Sequence, residues 1–297
     1  MTIKTLVLST AACLTAMALP AVALAAPLKF QAIATKEVSM HANMTLITGE
    51  HEAILVDVPF ARSDAYRVVA DILDSGKKLT TIVVTHDHPD HFFGLDVLAD
   101  AFPDARIVAA PAVARDMARS VPIKFARWSG MLGTNAPHRP MVPAAMTGDT
   151  LTIEGHTLSV IGPMQGDHID STVVWDPETR TLIAGDVVYN GMFVWLGEHT
   201  PARYDAWLAV LDRLDALHPV RVIAGHTRPG LPDDSMAIDW TRGYIKAFAR
   251  SAKVAKTPAE LQAMMRAQYP AAIDVYNCFL LCVPSQVATG AIPPWDE

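Results

Sequence analysis

From Thr85 to His91 the chain reads Thr-His-Asp-His-Pro-Asp-His, directly after the apolar run Thr80-Thr81-Ile82-Val83-Val84. Three imidazoles and two carboxylates therefore crowd into a single turn. Ordinary polar turns are made with Gly, Asn, Ser and Asp and have no need of three histidines. Mixed imidazole and carboxylate donors suit zinc and its first-row neighbours, whereas a site of oxygen donors alone points to calcium or magnesium. The local backbone fits this reading. Past an extended strand, His86 and His88 lie two apart and point the same way. Pro89 keeps His88 out of the helical region, and Asp90 is placed to cap a helix from about His91 to Phe102.

Around this loop the chain alternates strand and helix signals. Leu28 to Thr35, Met44 to Gly49 and Glu52 to Val58 read as strands. Ser63 to Asp74 reads as a helix with Tyr66, Val69, Ile72 and Leu73 on one face, ended by Gly76. Arg106 to Ala110 predicts a strand and Ala112 to Ser120 a helix. From Val121 to Met146 regular patterning dissolves among Pro122, Gly130, Gly133, Pro137, Pro140 and Pro143, yet Phe125, Trp128, Met131, Leu132 and Met141 recur. Long irregular segments rich in apolar groups tend to serve function, and this one is expected to be a lid.

A second set of strands follows at Leu151 to Glu154, Thr157 to Ile161, Ser171 to Trp175, Thr181 to Ala184 and Val220 to Ala224. Thr200-Pro201 opens a helix with Tyr204, Trp207, Leu208, Leu211 and Leu214 on one face. Thr257-Pro258-Ala259-Glu260 is a capping box for another. Two successive halves of strands and helices predict an α/β (α+β) chain of two packed sheets with helices outside.

Three later places put a metal-capable side chain at a predicted strand end: Gly166-Asp167-His168 before Ser171, Gly185-Asp186 after Ala184, and Gly225-His226 after Ala224. With these, the order His86-x-His88-x-Asp90-His91, His168, Asp186, His226 resembles the metallo-β-lactamase-fold hydrolase superfamily, over nearly all of the chain past the leader. The resemblance implies a four-layer αββα sandwich with a two-metal site at one edge. It assigns His86, His88 and His168 to a first zinc, Asp90, His91 and His226 to a second, and Asp186 to both; iron or manganese are the alternatives. Two divalent ions bring four positive charges, of which Asp90, Asp186 and a bridging hydroxide remove three. Such a centre lowers the pKa of bound water to about 7, polarises a carbonyl and needs no protein nucleophile.

The bridging Asp186 resembles the glyoxalase II and lactonase-like branch. Tyr189, three residues on, matches the tyrosine that lies over the metals in quorum-quenching lactonases and supports the substrate carbonyl, so Asp90 and Tyr189 are the expected catalytic side chains. One departure stands out. The family's Gly-His-Thr-x-Gly is replaced here by Asp167-His168-Ile169-Asp170-Ser171. The other histidines, His41, His51, His138, His156, His199 and His218, match no ligand position.

The N-terminus bears on the compartment. Lys4 precedes an acid-free apolar run from Thr5 to Leu24 that ends in Ala23-Leu24-Ala25, the pattern of a secretory signal peptide spanning residues 1–25. Residues 26–297 then form one exported hydrolase domain, periplasmic or secreted, with no later run apolar enough to span a membrane. Without Lys4 the net charge of −7 becomes −8, and no basic tract offers a surface to nucleic acid. Cys278 and Cys282, four apart in an apolar segment, are expected as two buried thiols. These readings converge on a small-molecule ester or lactone as substrate. The alternatives are a β-lactam amide, an iron-dependent persulfide oxidation, and a non-catalytic binding module.

Overall fold

In Asn43–Thr48 and Glu52–Val56 successive side chains point to opposite faces, and nearly all of them are buried, whereas Lys29–Ala34 stays exposed to half-buried. The computed structural model describes Met1 and residues 26–295; the expected leader otherwise lies outside the described residues. A first sheet of six strands runs in the order β1 (Lys29–Ala34), β2 (Asn43–Thr48), β3 (Glu52–Val56), β4 (Lys78–Val84), β5 (Arg106–Ala109) and β6 (Ala144–Ala145). The first three pair antiparallel, β1 and β2 across a longer connection with a 3-10 turn at Glu37–Ser39 and β2 and β3 across a tight one; from β3 to β6 the pairing is parallel. Parallel neighbours need crossovers, and these carry α1 (Arg62–Ser75), α2 (Leu95–Ala101) and α3 (Pro111–Leu132).

The second sheet is ordered β11-β10-β9-β8-β7, with β7 (Thr150–Ile153), β8 (His156–Met164), β9 (Ser171–Asp176), β10 (Thr181–Asn190) and β11 (Arg221–Thr227). Only β10 and β11 pair parallel, across α4 (Pro201–Asp215). Helices α5 (Met236–Ala252), α6 (Pro258–Gln268) and α7 (Phe279–Ala288) complete the chain.

Two cores explain the four αββα layers. Ile47, Ile54, Val56 and Val83 meet Leu158, Val160, Val174, Ile183 and Ile223 between the sheets. The intervening Leu46, Leu55, Ile82 and Val84 belong to the outer core, with Val68 and Ile72 of α1, Leu98 of α2 and Met117 of α3. At the edge where the sheets meet, Asn43 donates to Ala224 O (2.8 Å) and Thr227 Oγ1 (2.8 Å), and Ala42 bridges His226.

Several local expectations change. In α1 the buried apolar face is Ala65, Val68 and Ile72, while Tyr66 and Leu73 are exposed; a one-residue rotation of the stripe was enough to misplace it. Pro122 does not end α3. Met117, Val121, Trp128 and Leu132 continue one buried face past it, and that packing outweighs the lost amide bond of an interior proline. The stretch 121–146 is therefore helical for half its length.

Asp90 caps no helix. Pro89–His91 is a single 3-10 turn, and α2 starts only at Leu95. Thr257 does cap α6, its hydroxyl accepting from Glu260 N, while Glu260 reaches back to Lys256 N. Cys278 and Cys282 are paired in a disulfide, not free thiols. Cys278 precedes α7 with a φ of 136°, so the helical geometry that would have separated them does not apply, and their Cα atoms lie 5.2 Å apart.

Candidate metal centre

The loop after β4 turns His86, His88, Asp90 and His91 inward at the sheet edge, and all four are buried. From the other sheet come Asp167, just before β9, Asp186, within β10, and His226, within β11. Asp186 does not end its strand, as the sequence suggested. It sits at a bulge where Gly185 has a φ of 47° and the register with β11 slips. Two glycines make room here. A Cβ on Gly185 would meet Thr85 Oγ1 at 2.8 Å, and one on Gly225 would overlap Asp186 Oδ1 at 1.8 Å.

Two groups of four donors result, and a smaller third, Asp57, His86 and His91, overlaps both. His86, His88, Asp167 and Asp186 form one; Asp90, His91, Asp186 and His226 form the other. Within the first, His88 Nδ1 is 3.1 Å from Asp167 Oδ2, and His86 Nε2 is 3.8 Å from Asp167 Oδ1 and 3.7 Å from Asp186 Oδ2. Within the second, His226 Nε2 lies 2.9 Å from Asp186 Oδ2 and 3.3 Å from Asp90 Oδ2, and His91 Nε2 is 3.1 Å from Asp186 Oδ1. His86 Nε2, Asp167 Oδ1 and Asp186 Oδ1 are buried with no hydrogen-bond partner. Orphaned buried polar atoms are costly, and three that converge among imidazoles fit the donor set of a cation.

His168 is not brought into either group. Its Nδ1 accepts from Asp170 N (3.2 Å), its ring packs edge-on to His88, and burial pushes its pKa down to about 4. Asp167 takes the place expected of it. If Gly166 is read as the glycine that opens the family's Gly-His-Thr-x-Gly, Asp167 falls on the histidine position, so the signal lay in the sequence one residue away.

The outward ring nitrogens are all held. His91 Nδ1 meets Asp57 Oδ2 (2.9 Å), His88 Nε2 meets Glu198 Oε1 (2.8 Å), His226 Nδ1 meets Met40 O (2.8 Å) and His86 Nδ1 meets Thr85 Oγ1 (2.9 Å). Thr85 in turn donates to Asp57 through its amide (2.8 Å) and hydroxyl (2.8 Å). Such partners hold a proton on each outward nitrogen, so that the inward nitrogen is the one free to ligate once the ring is neutral, the arrangement a metal requires. Asp57 holds a φ of 62° to do so; an acid inside the apolar Val56-Asp57-Val58 was the cue available in the sequence. Glu198 had no local cue. Beneath the loop, the buried Lys124 of α3 bonds Asp87 O and lies 3.2 Å from Asp87 Oδ1, and Ser120 donates to Asp87 Oδ2 (2.6 Å).

Electrostatics follow from burial and these neighbours. Burial opposes charge on His226, but Asp186 and Asp90 outweigh it and raise its pKa to about 10. Burial also opposes charge on His88, where Asp167 and Glu198 prevail and hold it well above the usual range. Burial lifts Asp167 to about 7, against the pull of His88 and with the push of Asp186. Despite burial, His88 draws Glu198 down to about 2. The Tyr189 hydroxyl lies 2.8 Å from Asp167 Oδ2 and 2.9 Å from Asp186 Oδ2, sharing its one proton between them, and its ring stacks on His226. Burial and those two acids raise it well above its ordinary value, so it is a donor and not a base.

Met40, Trp128, Trp195, Phe279, Leu280 and Trp295 wall the opening above these groups, which encloses about 40 Å³, room for a few waters. Of the expected lid only Trp128 reaches it. Phe125, Pro137, Pro140 and Met141 instead line a small cavity with Phe92 and Phe93, and Met40, Trp195 and the C-terminal Phe279, Leu280 and Trp295 supply the remaining cover. Among the described residues no helix is long and apolar enough to cross a membrane.

A family profile described as the Metallo-beta-lactamase superfamily matches residues 40–226. The chain is 25% identical over 215 residues to a Metallo-beta-lactamase type 2 of Bacteroides fragilis, covering 71% of this chain and 77% of that one. An uncharacterized Bacillus subtilis protein, YobT, is 28% identical over 170 residues, 52% of this chain and 67% of its own length. Among solved structures, a metallo-beta-lactamase family protein from Thermus thermophilus superposes with a TM-score of 0.60 at 21% identity, covering 88% of this chain and 91% of that one. A metallo-beta-lactamase from Pontibacter korlensis gives 0.56 at 17% identity, with 75% and 96% covered. At these identities the structural likenesses speak for the fold.

Proposed function

Because this chain belongs to the metallo-beta-lactamase superfamily, we propose that it is a dinuclear metal hydrolase acting on a neutral carboxylic ester or lactone. The observation that carries this reading is the convergence of His86 Nε2, Asp167 Oδ1 and Asp186 Oδ1, all buried and partnerless, at the meeting of two donor groups. Bound there, two divalent ions such as zinc would supply a nucleophilic water at neutral pH and polarise a carbonyl.

The chain's own groups do the rest. Asp57, Glu198, Thr85 and Met40 O hold the imidazoles in the required tautomers. Tyr189, kept protonated, points its hydroxyl at Asp167 and Asp186, placed to donate to a developing oxyanion or alkoxide beside them. Asp90 completes the second donor group and offers an acceptor at the mouth. The aromatic wall favours an apolar acyl or aryl portion at the mouth.

A neutral substrate is preferred over a β-lactam on charge. Glu198, Asp90, Asp167 and Asp186 line the opening, and no Lys or Arg does among the described residues, so the lining offers no lysine or arginine to pair with the carboxylate of a typical β-lactam. The test uses purified protein with a panel of aryl esters and lactones beside a chromogenic β-lactam. Ester or lactone turnover abolished in Asp186→Ala, together with its metal, supports the reading; β-lactam turnover alone refutes it.

One observation favours a second reading: two histidines and one carboxylate, here His86, His88 and Asp167, are also the triad of iron oxygenases. One iron per chain and no ester hydrolysis would select it. Export is part of the proposal as well, supported by the Cys278–Cys282 disulfide, a bond that persists in oxidising compartments. N-terminal sequencing of the protein from a periplasmic extract should begin at Ala26.

A further inference from the structure

We infer that the centre consists of two equivalent half-sites that take up their ions as a matched pair, with Asp167 and Asp90 as corresponding ligands on either side of Asp186. The inference rests on the reading that the cluster holds metal, and departs from the unequal centre, one half with three histidines, that the sequence resemblance implied.

The donor sets carry it. Each half has two imidazoles, one carboxylate of its own and the shared Asp186: His86, His88 and Asp167 on one side, His91, His226 and Asp90 on the other. Each also draws two donors from the loop after β4 and two from the strands of the second sheet or, for Asp167, from the loop joining two of them.

The partners behind the imidazoles repeat the match independently. In each half one histidine leans on a carboxylate, His88 on Glu198 and His91 on Asp57, while the other leans on a neutral oxygen, His86 on Thr85 Oγ1 and His226 on Met40 O. Ligand basicity is tuned by such partners, so equal donors with equal backing give two sites of similar affinity. The extra acid also removes one more positive charge than a histidine would. Harder ions therefore gain ground relative to zinc, and a neutral substrate is better matched to the site than an anionic one.

The test is titration of the metal-free protein with Zn²⁺ and, separately, Mn²⁺, by calorimetry against a competing chelator, with bound metal counted by mass spectrometry of the elements. The wild type should bind two ions in one affinity class. D167N and D90N should each drop to one ion, and H168A should keep two at unchanged affinity. Should D167N fail to fold, D167H serves instead: it keeps two ions but splits them into two classes. Two wild-type classes more than a hundredfold apart, or loss of an ion in H168A with none lost in D167N, overturns the inference. Since the readout is metal binding, a protein that binds a matched pair but hydrolyses no ester would sink the proposed function and leave this inference standing.

Discussion

Replacing Asp57 with Asn tests how far the proposed centre depends on the partners behind its imidazoles. Asn tolerates the left-handed backbone at this position about as well as Asp, so the change acts on hydrogen bonds alone. In the native site Asp57 accepts from Thr85 N, Thr85 Oγ1 and His91 Nδ1. If the Asn oxygen keeps the amide of Thr85, its NH₂ faces the other two groups, which are both donors. His91 can relieve that clash only by moving its proton to Nε2, the nitrogen that faces the centre. Thr85, now accepting from Asn, must turn its hydroxyl toward His86 Nδ1, which sends the His86 proton to Nε2 as well. One histidine in each half-site is thereby put in the wrong tautomer. Loss of an orienting partner of this kind typically weakens metal binding about 10–100-fold, equivalent to about 1.4–2.7 kcal/mol. Chelator competition on the folded variant, with folding checked by circular dichroism, measures it. Unchanged affinity for both ions would refute the tautomer argument.

Four further outcomes are expected. Metal binding at pH 8 should release protons into a weakly buffered dye solution, because His226, with a pKa of about 10 in the metal-free site, is charged there and must be neutral to ligate; pH-stable dye absorbance would contradict this. In the metal-free protein the raised His226 pKa stabilises the fold below about 6.5, the unfolded value, and that stabilisation is lost as pH rises toward about 10, so thermal midpoints without metal should fall across that interval. Trp207→Ala removes a fully buried indole whose Nε1 donates to Val187 O and should lower unfolding free energy by about 3–5 kcal/mol in a denaturant titration, with metal stoichiometry intact. Trp195→Ala opens the wall where that ring stacks on Phe279 at 4.7 Å and should raise KM about tenfold for bulky aryl esters, with little change for acetate esters; a uniform change across the panel would speak against an apolar subsite.

Much of the fold was legible because strand periodicity and ligand loop reinforce each other. Ten of the strands stand close to where alternation and turn residues put them; β6, two residues long, offers no pattern to read. Pro122 misled because helix breaking is a local cost, while the face formed by Met117, Val121, Trp128 and Leu132 is a tertiary gain. At the centre, residue types and order picked out the loop, Asp186 and His226. The choice between Asp167 and His168 turned on the register of a loop, which side-chain chemistry alone does not fix. Glu198 and the C-terminal aromatic cover depend on contacts between segments about a hundred residues or more apart in sequence, and nothing local announces them.

The distribution of the donors over the two sheets has a mechanical consequence. In the proposed centre either cation, once seated, would be a rivet driven through both β-layers, since each donor group draws residues from the first-sheet loop and from the side of the second sheet. Sliding one layer past the other would pull ligands apart in opposite directions. A bulky or missing methyl group at Ile54 or Ile183, in the core between the sheets, should therefore be felt as a change in how tightly the ions are kept, and saturating metal should in return raise the temperature at which the layers separate.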